Sequence, residues 1–412
     1  MIRSEKTAWK ITAVLFAAQC LGSAAFIAIS TVGAILAASL SGHKSWAGAP
    51  AAASLFAGAG AAFLWGYLMD SMGRRGALVL GLVLGSIGAA VSFSAILLAS
   101  FPLFLGGMLL VGVANAAVNL SRFTAAEVHT PATRGRAISM VVLGGTVGAI
   151  IGPFLIVPAG HLATATAINE LAGAFAAAVI LLLAAGAVVF AALRPDPRDI
   201  GRTVANPLLD RGADTGVPRS VALILRQPAA VAAVVAMVTS QVARVAVMVI
   251  TSLFMKDMHH DLGDISLVFS AHTIGMYAFS LISGSLLDRW GRAPVIITGA
   301  AALVAASVMA SISTATLPLA MSLLLLGLGW NFCFVGGSAL LADQLSPAER
   351  ARTQGFNDLL VGLAAGLASI GAGLASAALG YTGVGIIGAA LSLLPIVLVG
   401  RWALSRPIRG SR

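Results

Sequence analysis

Most ionisable and amide side chains that interrupt the long apolar stretches of this chain fall in a few of them, and each is costly there and functional by default. Asn115, Asn119 and Arg122 share one helix face by spacing, and Gln241, Arg244 and Met248 share another. Two arginines so placed can hold an anionic group on a small solute, or they can be neutralised by Asp358 and Glu127 in static ion pairs. Gln19, His272, Asn331 and Asn357 add further polar groups, with Met276 one turn beyond His272. Asp358 is the carboxylate well inside such a stretch, so it is the candidate for carrying a proton; its alternative role is fixed partner to Arg244. No paired nucleophile and base and no acidic metal motif occurs, which argues against an enzyme. Cys20 and Cys333 lie in apolar runs and supply neither a disulfide framework nor a thiolate zinc site.

The elements that carry these residues are dictated by composition. Of 412 residues 59% are apolar and 10% are charged, against about 25% charged in soluble domains. Apolar segments fall near 8–38, 48–69, 76–99, 102–127, 137–158, 167–193, 227–254, 262–287, 294–314, 316–342, 353–377 and 380–402. They are too long for barrel strands and lack alternation, so the chain is predicted to be an all-α membrane protein with twelve transmembrane helices. The first segment is too long for a signal peptide and is predicted to remain as a span. A polar linker over 194–226 separates a six-helix half at 1–193 from another at 227–412.

The net charge of +10 reflects topology rather than nucleic acid. Of 25 Lys and Arg, Lys44 and Lys256 fall in loops on one side and Arg122 and Arg244 in or near spans. The remaining 21 lie on the opposite side, which is therefore cytoplasmic and holds both termini. The preference for Arg over Lys, with abundant Ala and Gly, fits a GC-rich bacterial genome and hence an inner membrane.

The chain also repeats itself. GYLMDSMGRRG supplies Gly66, Asp70, Gly73 and Arg74; GSLLDRWGRAP supplies Gly284, Asp288, Gly291 and Arg292, each 218 residues later. Glu127, Pro131, Arg134 and Arg136 match Asp343, Pro347, Arg350 and Arg352 at an offset of 216, which also relates Asn115 to Asn331. Asp70 and Asp288 end helices where a carboxylate can meet the N-terminus of a helix from the other half. Arg74 and Arg292 can bridge them to Glu127 and Asp343, making a gate rather than a solute site.

The doubled signature resembles that of the major facilitator superfamily over nearly the whole chain. The resemblance implies two pseudo-symmetric bundles, alternating access by rocking, and a cavity lined by spans 1, 4, 7 and 10. It places Gln19, Asn115, Asn119, Arg122, Gln241, Arg244, Met248 and Asn331 at that cavity, with His272 and Met276 flanking it. SRFTAAEVHTPATRGRAIS, LVFSAHTIGMYAFSLISG and GWNFCFVGGSALL are most similar to a bacterial subgroup that includes CcoA-type copper importers. There His272 and Met276 match one copper motif, but Arg244 and Met248 stand where a Met pair is expected. Copper(I) uptake through His272, Met276 and Met248, fed by the outward loop MKDMHHD, is thus one alternative.

Multidrug/proton antiport is a second alternative, since Gly148, Gly152 and Pro153 match part of the antiporter motif, although Met108 replaces its arginine. A non-transporting sensor is a third. The favoured expectation is a proton-coupled secondary transporter of a small organic solute. It is expected to need no cofactor and no resident metal, to sit in the bilayer as a monomer, and to bind no nucleic acid.

Overall fold

In the computed structural model, residues 2–204 and 219–405 are described. The linker's middle, the last basic residues Arg406, Arg409 and Arg412, and the side chains of Pro131, Arg134, Pro347, Arg350 and Arg352 from the repeat lie outside the described residues. The described chain is helical throughout and holds no strand. After α1 (Ile2–Ser41) and a 3-10 turn come α2 (Ala49–Met72), α3 (Arg74–Leu97), α4 (Phe101–Asn119), α5 (Ser121–Glu127), α6 (Pro131–Phe154), α7 (Ile156–Ala165) and α8 (Ala172–Ala192). Then follow α9 (Pro197–Val204), α10 (Val221–Ile224), α11 (Pro228–Asp257), α12 (Leu262–Tyr277), α13 (Ser280–Trp290), α14 (Arg292–Ile312), α15 (Thr316–Ala342) and α16 (Pro347–Leu404). Proline sits in the first turn of α2, α4, α6, α11 and α16, where its missing N–H is no loss.

Nine of these helices are long and apolar enough to cross a bilayer. Two bent pairs, Lys44–Ala62 with Leu64–Met72 and Leu262–Tyr277 with Ile282–Trp290, add two crossings when each is counted as one broken span. The stretch Thr353–Leu404 has 52 residues, about 78 Å at 1.5 Å per residue, against an apolar core of about 30 Å. It breaks at Gly380 (φ 69, ψ −177) and counts twice, so the total is the predicted twelve.

The chain forms two compact units, residues 1–210 with 259–270, and residues 211–258 with 271–412. In the first, α6 lies on α1 with backbones nearly touching. A Cβ on Gly148 would fall inside the contact radius of the Cys20 carbonyl oxygen, and one on Gly152 would stand 2.5 Å from that of Ala24. Gly148 and Gly152, read as part of an antiporter motif, thus serve small-residue packing between helices. In the second unit a Cβ on Gly275 of α12 would collide with the Leu324 carbonyl of α15.

The entry to α16 is tied down by charge. Ser346 and Glu349 form a reciprocal capping box, and Arg219 donates through Nε and a terminal nitrogen to both oxygens of the buried Glu349, each at 2.8 Å. The Arg219 hydrogen bonds, aided by the Ser346 amide, hold the Glu349 carboxyl far below the usual carboxylate range. A depressed carboxyl contributes stability that is present above its unfolded value, about 4.3, and lost as pH falls. In detergent, the melting temperature of the protein should exceed that of Glu349→Gln at pH 7, and the gap should narrow as pH drops below about 4.

Candidate functional site

Within the first unit the turn between α2 and α3 rests on Gly73, at φ 89 and ψ 163, a region open essentially to glycine alone. Arg74, freed at the start of α3, donates to Asp70 Oδ1 at 2.7 Å. Its Nε and other terminal nitrogen grip both oxygens of Glu127, at 2.9 and 2.7 Å, as a two-pronged fork. The gate contacts predicted for Arg74 therefore form inside one unit. They also occupy Glu127, which removes it as a neutraliser of Arg122.

Two linker residues not singled out from sequence complete the turn. Asp196 accepts from the backbone amides of Arg74 and Arg75, both at 3.1 Å, and so caps α3 where Gly73 has no side chain to do so. Arg198 donates to the carbonyls of Asp70 and Ser71, which end α2. A Cβ on Gly73 would stand 2.5 Å from Asp196 Oδ2. Their signal in the sequence was RPDPRD at the head of the linker, legible only as a polar segment.

The second unit repeats the turn with changes. Gly291 has φ 84 and ψ 175, and Arg292 Nε meets Asp343 Oδ2 at 3.0 Å. A terminal nitrogen of Arg292 turns to the Leu287 carbonyl at 3.1 Å, and Asp288 is exposed and takes no part in this contact. A Cβ on Gly66 or Gly284 would meet nothing within 4 Å, so packing does not require either glycine.

Of the solute-site candidates, two are spent on holding helices together. Gln19 is buried, accepts from the Ser121 hydroxyl at 2.8 Å and donates to Ser23 at 3.4 Å, tying α1 to α5. Asn331 is buried, donates to the Met276 carbonyl at 2.7 Å and accepts from Ser283. The span containing α12 breaks after Tyr277, and a freed carbonyl in lipid needs a partner; Asn331 supplies it.

Elsewhere in the first unit Asn119 donates to Asn115 at 3.3 Å and both are exposed. Leu120 closes a tighter turn, and Arg122 follows it, exposed, with its guanidinium 4.8 Å from the Phe123 ring centre. The stripe is thus bent between Asn119 and Arg122 rather than straight.

The second unit gathers a denser group. Arg244, half-buried on α11, donates from Nε to Gln241 Oε1 at 3.3 Å. One terminal nitrogen lies 3.9 Å from the Met276 sulfur, and the guanidinium sits 5.4 Å from the centre of the Trp330 ring, within cation–π range. Gln241 Oε1 also accepts from Trp330 Nε1 at 2.7 Å. Trp330 stacks on Phe334 at 4.9 Å and meets Tyr277 edge-on at 6.4 Å. These aromatic residues were not singled out from sequence, where aromatic side chains in apolar helices look like packing.

The alternative role of Asp358 as fixed partner to Arg244 is not met: among the described residues Arg244 has no carboxylate partner. Asp358 is exposed rather than buried, because the preceding Asn357 takes the inward face of α16. Met248 is half-buried and Met276 buried. His272 is 1% exposed, and its Nδ1 lies 2.9 Å from the Leu323 carbonyl. A carbonyl only accepts, so Nδ1 carries a proton, and in the neutral ring Nε2 keeps a lone pair. That Nε2 has no partner among the described residues.

The sequence profile described as Major Facilitator Superfamily matches residues 14–243 and 229–412. The chain is 35% identical to the uncharacterized MFS-type transporter YdeG of Bacillus subtilis over 96% of its own length and 92% of that protein. It is 29% identical to the riboflavin transporter RfnT of Brucella anthropi, over 84% of each chain. The inward open structure of the xylose transporter XylE from E. coli superposes with a TM-score of 0.70 at 18% identity, covering 98% of both chains.

Proposed function

Since this chain belongs to the Major Facilitator Superfamily, with a transporter's multi-pass helical fold rather than an enzyme's, we propose that it is a secondary transporter of a small organic solute. It works by alternating access in a bacterial inner membrane, as a monomer with both termini cytoplasmic and with a proton as coupling ion. The observation that carries this reading is Arg244: a guanidinium held among Gln241, Met276 and Trp330 with no carboxylate partner among the described residues. A cation kept in such surroundings without a counter-ion is one that a solute oxygen can satisfy. The similarity to RfnT supports an organic solute.

Copper(I) fits this group less well, since the guanidinium already faces the sulfur of Met276 and opposes a second cation there. Proteoliposomes with an imposed proton gradient, offered Cu(I) beside a panel of organic solutes, test the choice. Organic uptake is expected, reduced about 10- to 100-fold in Arg244→Ala through loss of a charge-assisted hydrogen bond. Accumulation of Cu(I) that Arg244→Ala leaves intact and His272→Ala abolishes would overturn the reading. In the same vesicles Asp358→Asn is expected to exchange solute at normal rates yet fail to concentrate it, and concentrative uptake by that variant would remove Asp358 as the proton carrier.

A further inference from the structure

Three features of the Arg244 group bear on what kind of solute it takes. Trp330 stacks on Phe334 and meets Tyr277 edge-on, and the guanidinium lies over the Trp330 ring, so an aromatic group stands at the cation. Arg244 carries five N–H donors in a planar fork, and among the described residues only Nε reaches an oxygen acceptor. His272 offers the opposite polarity, a buried Nε2 with no donor among the described residues. His272 and Met276 are one turn apart on α12, so their Cβ atoms are on the order of 5–6 Å from each other. Arg244 touches Met276.

From this arrangement, and on the transporter reading above, we infer that the solute is a planar heteroaromatic whose edge bears a carbonyl next to an N–H, as in an imide or lactam. The carbonyl accepts from the Arg244 fork, the neighbouring N–H donates to His272 Nε2, and the ring lies against Trp330. A carboxylate satisfies the arginine equally well but brings no proton, so it leaves the histidine lone pair facing another acceptor. A buried acceptor left unpaired is penalised more than a hydrogen bond is rewarded. The site therefore prefers the mixed edge over a purely anionic one.

The test uses the purified full-length protein in detergent and measures binding of riboflavin, lumichrome and uridine, all with such an edge. Beside them go 3-methylriboflavin, in which that N–H is blocked, and 2-naphthoate, a planar carboxylate. At least one of the first three should bind, and for riboflavin the methyl group should weaken binding about tenfold or more. Trp330→Leu should weaken the parent and the methylated compound alike, whereas His272→Gln should shrink the difference between them. If His272→Gln does not fold, the methyl penalty in the wild-type protein and the Trp330→Leu result still decide the matter.

Equal binding of both flavins, tighter binding of 2-naphthoate, or no binding of any of the three ring compounds overturns the inference. If in that case wild-type vesicles still take up another organic solute in an Arg244-dependent way, the transporter reading stands and only the heteroaromatic assignment falls. If Arg244→Ala moves every solute as the wild type does, the reading itself fails with it.

Discussion

Alanine in place of Arg74 is expected to slow solute exchange in vesicles at least tenfold and to lower the melting temperature in detergent. The side chain makes three charged hydrogen bonds, two of them a fork on Glu127, and it is only 14% exposed. Hydrogen bonds to charged groups contribute roughly 1.5–3 kcal/mol each, but Asp70 is largely open to solvent, so its share is small. Taking the Glu127 fork at about 2 kcal/mol net gives a shift of about thirtyfold in any equilibrium between states that differ in this contact. Lysine at the same position keeps the charge but lacks the fork, so Arg74→Lys should recover part of the stability and little of the rate. A normal exchange rate in Arg74→Ala would show that the contact is a surface ion pair without a role in gating.

The second large effect is expected at Gly148. Valine there would drive its Cβ into the backbone oxygen of Cys20, and the nearest atoms are main chain, which cannot rotate away. Either α6 lifts from α1 or the protein does not fold, at a cost of at least about 1–3 kcal/mol for overpacking. Gly148→Val should lose the monodisperse peak on size exclusion, and Gly148→Ala should melt several degrees below the wild type. Gly66→Ala is the matched control: it lies in open space inside α2, so its melting temperature should hold or rise slightly.

That contrast illustrates what could be read from the sequence and what could not. The positive backbone angles at Gly73 and Gly291 follow from a glycine set between two helices and followed by an arginine, and both turns carry them. The Arg74–Glu127 and Arg292–Asp343 contacts were legible because the repeat pairs the partners at nearly constant offsets. The inward face of each helix was not. In lipid a helix can be apolar all round, so periodicity does not mark its buried side, and Asp358 was placed inside where Asn357 is. Asn331 looked like a solute ligand because the break after Tyr277, where it satisfies the Met276 carbonyl, leaves no proline in the sequence to announce it. Trp330 was missed for the opposite reason: its polar edge is spent on Gln241, a partner 89 residues away.

The bonds from Asp196 and Arg198 to the α2–α3 turn bear on how this chain can be cut in two. A first fragment ending at Leu193 carries all of that half's bilayer-crossing helices but neither of the residues that close the turn, so the first amides of α3 and the last carbonyls of α2 would open to water. A fragment ending after Val204 keeps both, together with α9. Co-expressed halves should therefore reassemble from the later cut and yield less protein from the earlier one, although the two differ by only a short polar stretch outside the long apolar helices.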